Sequence, residues 1–240
     1  MGAVIVNLEC ITNMHAGNGD VNFNIIDNEV ERDVVTGYPT INASGVKGAL
    51  REYFVKKGVD KTSIDEIFGG EGAGKLKFLN ADMLAVPARA SAGTAAYYLV
   101  STEEAVERYK ELCQLFLNQE PALSETKVTE VRQAEGYQLT NYVMLLGKEV
   151  HIMEKGEFDK ISLPVLARNK LNNGKSDNLW YEEVVPHKSL FAFVVLAEEG
   201  DKELLELFTS HVKGQVVQFG GNASIGYGLC KVSVTEGRLA

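Results

Sequence analysis

The sequence predicts an α+β protein whose core is ferredoxin-like (RRM-like), with the order β-α-β-β-α-β. Three observations predict this fold: strands alternate apolar and polar residues, helices repeat apolar residues at helical spacing, and the two patterns alternate along the chain. They form two β-α-β units: strand 3–14, helix 44–57 and strand 75–86, then strand 190–197, helix 201–213 and strand 226–234. An open antiparallel sheet of this kind is a common platform for RNA.

The 240 residues are long enough to bury one large core as a single domain. We expect that core to be built from 1–16, 44–86 and 189–240. Two insertions interrupt it, an acidic loop or lid at 17–43 and a longer segment at 87–188. Loops as long as the first are usually either functional or disordered.

The first strand places Val4, Val6, Leu8 and Cys10 on one side. It ends in the loop His15-Ala16-Gly17-Asn18-Gly19. His15 at a strand end is more often a structural group than a general base or a phosphate ligand, and both interpretations stay open.

Acidic residues occupy alternate positions in the first insertion: Asp27, Glu29, Glu31 and Asp33. In an extended chain they would share one side, which is tolerable only in water or near a cation. A solvated lid is the favoured interpretation from these residues alone, and a cation site is the alternative.

Ser44 is expected to begin the first helix and Gly58 to end it. Its buried face is predicted to hold Val46, Ala49, Leu50, Tyr53 and Phe54. Lys47 and Arg51 lie four residues apart and therefore stand one above the other near the positive end of the helix. Exposed amides and two stacked cations predict a phosphate-binding site there.

The second insertion is predicted to contain a strand at Tyr97–Val100 and a helix from Ser101, as N-cap of a capping box with Glu104, to about Asn118. Residues 119–160 give no assignable pattern. A hairpin turn is indicated at Asn172-Asn173-Gly174.

Basic and aromatic residues alternate around that turn: Arg168, Lys170, Lys175, Trp180 and Tyr181. Such a mixture suits phosphate contact and base stacking. A core position for Trp180 is equally compatible with the pattern. Near the C-terminus, Gly220, Gly221, Gly226 and Gly228 would let the backbone approach a ligand, or would simply form a bulged turn.

The net charge of −9 argues against a generally nucleic-acid-binding surface. The acid is concentrated, however, because residues 101–160 and 181–206 each carry −5 and the remainder carries +1. A local cationic track therefore remains possible. Three scattered cysteines and the lack of a long apolar run favour a cytoplasmic protein without a membrane span.

Several motifs, in shared order along the chain, resemble the RAMP superfamily of CRISPR RNA-binding proteins and, within it, the backbone subunits of type III-B (Cmr) effector complexes. They are H-A-G-N-G at 15–19, I-D-N-E-V-E-R-D at 26–33, T-G-Y-P-T-I-N-A-S-G-V-K-G-A-L-R at 36–51, I-F-G-G at 67–70, L-P-V-L-A-R-N at 163–169, N-L-W-Y-E-E-V-V-P at 178–186 and G-G-N-A-S-I-G-Y-G at 220–228.

The resemblance implies that copies of the subunit line the guide RNA as a filament and that an insertion forms a thumb reaching the next copy. The expected partners are the guide RNA, a complementary target RNA, further copies and other subunits of the complex. RNA-binding contacts are expected from His15, Ser44, Lys47, Arg51, Arg168, Lys170, Trp180 and the four glycines named above, with Lys47 and Arg51 holding phosphates of the guide.

Target cleavage with a divalent metal ion, Mg²⁺ or Mn²⁺, is also implied, and Asp27 matches the family's catalytic position. Glu29 stands where the family commonly has proline, and it would either help hold the metal or weaken cleavage. Two alternatives remain: a purely structural subunit, and an enzyme that processes precursor guide RNA through His15.

Overall fold

The computed structural model describes residues 1–17, 19, 26–173 and 175–237. These residues form an α+β fold with one large sheet of 13 strands and a separate two-stranded sheet. Asn18 and residues 20–25 of the predicted lid, and Gly174 of the predicted hairpin turn, lie outside the described residues. None of the described helices is long and apolar enough to cross a membrane.

The helices and strands of the described residues have the following bounds. The α-helices are α1 Ala43–Lys56, α2 Lys61–Phe68, α3 Glu103–Leu117, α4 Lys155–Phe158 and α5 Lys202–Val212. The strands are β1 Gly2–Cys10, β2 Thr40–Ile41, β3 Lys77–Phe78, β4 Ala81–Ala92, β5 Tyr97–Thr102, β6 Glu125–Lys127, β7 Gln133–Ala134, β8 Tyr137–Gln138, β9 Asn141–Leu145, β10 Lys148–Met153, β11 Val165–Asn172, β12 Lys175–Glu183, β13 Leu190–Ala197, β14 Val216–Gln218 and β15 Leu229–Glu236.

The large sheet follows the order β14-β15-β1-β13-β4-β5-β10-β9-β6. Strand β1 lies between β13 and β15 and pairs with both in antiparallel fashion. Strand β13 in turn pairs with β4, also antiparallel. Strands β11 and β12 pair with each other as a two-stranded hairpin separate from the large sheet, and Glu182 of β12 also forms an isolated bridge with Asn28.

Both faces of the central strands are buried. Successive side chains of a strand point to opposite faces, so each strand contributes side chains to two cores. Val4, Val6, Leu8 and Cys10 lie in the core that also contains residues of α1, α2 and α5, as their alternation predicts. Ile5 lies in the second core, against residues of α3. The central sheet is therefore covered by helices on both sides.

Two predicted helix starts are wrong by one or two residues. Helix α1 begins at Ala43 rather than Ser44, and its N-cap is Asn42, which makes no side-chain capping bond. Asn80 Oδ1 instead accepts a hydrogen bond from the Ala43 amide, at 2.8 Å. A side chain distant in sequence thus replaces a local cap, which the sequence pattern could not reveal.

Helix α3 is capped by Thr102, whose hydroxyl accepts a hydrogen bond from the Ala105 amide. Ser101 is buried in β5, and its hydroxyl donates to the Leu84 carbonyl oxygen at 2.6 Å. Strand pairing therefore extends one residue beyond the expected cap. The predicted strand 75–86 is divided into β3 and β4, and β4 continues through Pro87 to Ala92.

Residues 119–160, which gave no assignable pattern, contain the short strands β6 to β10 and the helix α4. Pairing with β5 makes β10 part of the large sheet. The predicted hairpin is confirmed, since β11 and β12 flank Asn173, whose φ is +50°. Tertiary pairing, rather than local pattern, defines the short strands of this region.

A buried histidine lies in the extension of the sheet formed by these strands. The His151 ring is 1% exposed and lies beside Tyr98 and Tyr142. An Arg132 guanidinium nitrogen is 3.4 Å from its Nε2 atom. Burial, and secondly the Arg132 charge, lower the pKa of His151 below its usual value.

We predict that acid destabilises the protein through His151. Below about pH 6.5 the unfolded chain protonates His151 more readily than the folded chain does. The free energy of unfolding therefore decreases as the pH decreases through this range. Denaturant titrations between about pH 5 and pH 7 should show this loss in wild type relative to His151→Phe, which cannot titrate at this position. Parallel curves for the two proteins would contradict the prediction.

Candidate functional site

The end of strand β12 is where the separate parts of the candidate site meet. The Tyr181 amide donates to Asp27 Oδ2 at 2.7 Å. The amides of Asp27 and Asn28 both donate back to the Tyr181 carbonyl oxygen, at 3.1 and 3.2 Å. Asp27 is thereby fixed to the base of the hairpin, while its Oδ1 atom has no partner within the described part of the chain.

Glu183 ties the same acidic segment to β12 two residues further on. Its carboxylate is buried and accepts hydrogen bonds from the Val30 amide at 3.1 Å and from the Arg32 guanidinium at 2.5 Å. A buried carboxylate is stable only when such donors satisfy it. The pairing of Arg32 with Glu183 therefore holds this part of the lid in one position.

Glu182 is also buried and is the centre of a polar group that we call the Glu182 cluster: His15, Arg168, Glu182, Asn222 and Tyr227. The Asn222 amide nitrogen donates to Glu182 Oε1 at 2.7 Å. An Arg168 guanidinium nitrogen lies 3.5 Å from Glu182 Oε2, and the Arg168 guanidinium carbon lies 5.4 Å from the centre of the Tyr227 ring. The Glu182 cluster joins the hairpin, the His15 loop and the glycine-containing segment 220–228.

His15 occupies a mostly enclosed position in the Glu182 cluster, with 12% of its side chain exposed. Its Nδ1 atom is 2.7 Å from the Glu183 carbonyl oxygen, so Nδ1 must carry the proton and donate. The Nε2 atom faces Glu182 at 4.0 Å. A Cβ atom added to Gly17 would lie 2.8 Å from Nε2. These contacts fix the orientation of the His15 ring within the loop.

The glycine segment packs directly on the His15 loop. The Gly221 amide donates to the His15 carbonyl oxygen at 2.8 Å, and the Gly228 amide donates to the Asn13 carbonyl oxygen at 2.8 Å. Gly220 has a φ of +75°, and a Cβ atom there would lie 2.4 Å from the His15 carbonyl oxygen. Gly220 and Gly221 are exposed, so their backbone is accessible to a ligand.

The hairpin carries the predicted basic and aromatic residues on largely exposed strands. Arg168 and Trp180 are direct cross-strand partners, and Trp180 is half-buried and belongs to neither core. Tyr181 is 41% exposed. Lys170 is exposed and lies 3.9 Å from Asp177. The side chains of Trp180 and Lys170 are therefore accessible to a ligand. Trp180 does not occupy a core position.

The predicted phosphate site on α1 is only partly paired within the chain. Arg51 makes an ion pair with Asp65 of α2, at 3.0 Å. Lys61, and secondly Arg51, lower the pKa of Asp65. Lys47 is half-buried and has no ion-pair partner among the residues that the structure describes, while Ser44 is exposed. Lys47 is therefore the freer of the two cations.

The four acids of the lid do not form one carboxylate cluster. Asp33 accepts hydrogen bonds from the amides of Val35 and Thr36 and from the Thr36 hydroxyl. These bonds, led by the Thr36 amide, lower the pKa of Asp33. Asp33 thus stabilises its own turn, whereas Asp27 is held at the hairpin.

Within the described ranges, no group of three or more His, Cys, Asp or Glu residues is arranged to hold a metal ion. Asp27 and Glu29 nevertheless carry the oxygen donors that Mg²⁺ and Mn²⁺ prefer. Magnesium commonly binds one or two carboxylates, with waters and substrate phosphates completing its coordination. The donor types at Asp27 and Glu29 fit a site that is completed by bound RNA.

The structure brings together His15, Arg168, Trp180, Asp27 and the glycine segment around the end of β12. Lys47 and Arg51 lie on α1, which follows the lid through β2. Sequence reasoning missed Glu182, Glu183 and Asn222. The sequence shows two adjacent acids, Glu182 and Glu183, after a strand. Their burial could not be predicted, because it depends on partners far away in the sequence.

A family model described as the RAMP superfamily matches residues 7–231. A curated relative, the "CRISPR system Cmr endoribonuclease Cmr4" of Pyrococcus furiosus, is 27% identical over 289 aligned positions. The alignment covers 98% of this chain and 97% of the relative.

Two solved structures share the fold. Oligomeric Cmr4 from Pyrococcus furiosus has a TM-score of 0.76 at 24% identity, with 98% of this chain and 99% of that chain covered. A chain of a type III-B Cmr-β complex bound to cognate target RNA has a TM-score of 0.80 at 24% identity, with 98% and 97% covered. The overall architecture described above is therefore shared with these chains.

We predict that Gly220→Ala destabilises the protein by about 1–3 kcal/mol, because the new Cβ would meet the His15 carbonyl oxygen in a backbone conformation that alanine disfavours. Gly221→Ala is the matched control. A Cβ there would lie 3.8 Å from the same oxygen, and the φ of Gly221 is not in the left-handed region. Denaturant unfolding of both variants measures the difference, and equal stabilities would contradict the prediction.

Proposed function

The chain belongs to the RAMP superfamily, and on that premise we propose that it is a guide-RNA-binding filament subunit of a type III CRISPR complex that cleaves the paired target RNA. The observation that carries the proposal is the attachment of Asp27 to Tyr181, which directly precedes Glu182 of the Glu182 cluster in β12. Three consecutive residues, Tyr181, Glu182 and Glu183, hold Asp27, the glycine segment and the lid. A candidate catalytic acid is thus fixed beside a candidate RNA-binding surface.

Guide binding would rely on contacts to the RNA backbone, because such a subunit has to accept any guide sequence. Lys47 supplies a cation that is unpaired within the described residues, and Arg51 can exchange its solvent-screened partner Asp65 for a phosphate. The exposed amides near Ser44 and the exposed backbone at Gly220 and Gly221 add donors. Local cations and amides can act in this way although the whole chain is acidic.

The hairpin β11–β12 is proposed to be the thumb, contacting RNA and the next copy through Lys170 and Trp180. A repeated head-to-tail contact of one copy with the next produces a filament, whose length the guide would limit. The relative from Pyrococcus furiosus forms an oligomer, and a structurally similar chain belongs to a complex bound to target RNA. Other subunits of the complex would be further partners, in the cytoplasm.

Four antiparallel strands are proposed to be the ferredoxin-like core. They lie side by side in the order β15-β1-β13-β4. Helix α1 follows β1 in the chain, and α5 follows β13, which gives the order expected for two β-α-β units. In this scheme the core is a single domain, and 17–43 and 87–188 are its insertions.

For cleavage, Asp27 would present its Oδ1 atom toward the target strand, while the hydrogen bond from the Tyr181 amide to Oδ2 keeps the carboxylate oriented. A divalent metal ion, when bound, would stabilise charge on the reacting phosphate and favour deprotonation of the attacking hydroxyl. Asp27 and Glu29 would hold it together with RNA oxygens. Glu29 stands where the family commonly has proline and would add a second carboxylate ligand.

A non-catalytic backbone subunit is the second candidate, favoured by the hydrogen bond that Asp27 already makes within the fold. Processing of precursor guide RNA by His15 is less compatible with the geometry, since Nδ1 is occupied and Nε2 is enclosed. RNA cutting by the assembled complex distinguishes the first two candidates. Activity of the isolated subunit on repeat RNA would support the third.

We predict that Asp27→Asn lowers target cleavage by at least about 100-fold while guide binding persists. Asparagine can still accept from the Tyr181 amide, so the substitution removes the charge without releasing the segment. Asp27→Ala should lose cleavage as well. The measurement is the ladder of regularly spaced products that the assembled complex makes from complementary RNA with Mg²⁺.

Asp33→Asn is the matched control, because this acid of the same segment only caps its own turn. Chelation of the metal should stop cutting without releasing the guide, and added Mg²⁺ or Mn²⁺ should restore it. Unchanged cleavage by Asp27→Asn would refute the catalytic assignment and leave the structural subunit as the better description.

We also predict that Lys47→Ala weakens guide binding and lowers the slope of log affinity against log salt by about 1, since it removes one phosphate contact. Arg51→Ala should have the smaller effect, because Arg51 must first leave Asp65. The double variant should show both losses. Lys56→Ala, at the far end of α1, is the control, and an unchanged slope for Lys47→Ala would remove α1 from the RNA interface.

A further inference from the structure

Cys10 and Cys230 face each other across the neighbouring strands β1 and β15. They are register partners in an antiparallel pair, their Sγ atoms are 3.8 Å apart, and both are fully buried. No role assigned above uses either side chain.

Their backbone geometry is the kind that permits a covalent bond. The Cys10 amide donates to the Ser189 carbonyl oxygen, and the Cys10 carbonyl oxygen accepts from the Lys188 amide. Both groups thus point away from β15, which makes Cys10 and Cys230 a non-hydrogen-bonded pair. Cα atoms in such pairs lie about 4.5 Å apart, within the roughly 4.4–6.8 Å range of disulfides.

We propose that Cys10 and Cys230 are an oxidisable pair that forms an intrachain disulfide when the protein meets a small-molecule disulfide. One thiolate attacks the small disulfide and releases one small thiol. The second protein thiolate then attacks the mixed disulfide and releases the other. Two protein thiols lose two protons and two electrons, and one small disulfide becomes two thiols.

The bond would lie at the base of two loops that contact each other. Cys10 ends the strand before the His15 loop, and Cys230 follows the glycine segment. Between them, the Ile11 amide donates to the Leu229 carbonyl oxygen at 2.7 Å, and the Leu229 amide donates to the Thr12 hydroxyl at 3.0 Å. The disulfide would fasten the strand ends that position the Glu182 cluster, a consequence for RNA that rests on the proposed function.

The pair is expected to react slowly. The hydrogen bond with Cys230, together with burial, raises the pKa of Cys10, so the thiol stays protonated. Exchange therefore requires local opening of β15. Cys113 is buried in α3 beside Tyr109 and has no sulfur partner within the described residues, so it provides an internal reference.

The test incubates the folded full chain with oxidised glutathione, then denatures it in iodoacetamide and measures its mass. We expect one alkylated cysteine instead of three, a chain about 2 Da lighter before alkylation and no bound glutathione. Peptide mapping should join the peptides of Cys10 and Cys230, and the oxidised protein should melt several degrees higher. Cys113→Ala should behave like wild type, whereas Cys230→Ala should form no intrachain bond.

Three alkylated cysteines, or stable glutathione adducts without a link between Cys10 and Cys230, would overturn the proposal. A second measurement separates this outcome from the function. If the bond forms, guide RNA should leave the oxidised assembled complex several-fold more slowly than the reduced one. Equal release rates would leave the disulfide established and would instead count against an RNA role of the two loops.

Discussion

The arrangement of the candidate site depends on satisfying two adjacent buried carboxylates, Glu182 and Glu183. Neighbouring residues of a strand point in opposite directions, so each carboxylate needs its own donors. Glu182 obtains them from Asn222 and Arg168, and Glu183 obtains them from Val30 and Arg32. Because a buried charge without a partner is costly, these segments are drawn to the end of β12.

This constraint explains how an acidic protein can present a candidate RNA-binding surface. The acids nearest the candidate site are used internally, Glu182 and Glu183 as buried acceptors and Asp33 in its own turn. Within the described residues, Lys47 has no acidic partner, and the backbone of Gly220 and Gly221 is exposed. The distribution of charge, rather than its total, is therefore the relevant property.

Local sequence pattern predicted the elements that carry strong periodicity. The face of β1, helix α1 and the β11–β12 hairpin all follow from apolar spacing or turn residues. Positions decided by distant partners could not be predicted. Asn80 caps α1 across the fold. The short strands β6 to β10 form because β5 offers an edge to β10 and β4 offers one to β7. For the site, the family resemblance indicated Asp27, and residue types indicated Lys47 and the glycines. The buried glutamates that join these parts are revealed by the fold.

The contact between Arg32 and Glu183 has a consequence for the evolution of such chains. Loss of Arg32 alone would leave the buried carboxylate of Glu183 without its charged donor and with the Val30 amide as its remaining side-chain partner, which destabilises the fold. Homologous sequences should therefore exchange the two positions together, or replace both with apolar residues. Covariation at these two positions would indicate that the acidic segment has been held against β12 throughout the family while its exposed residues changed.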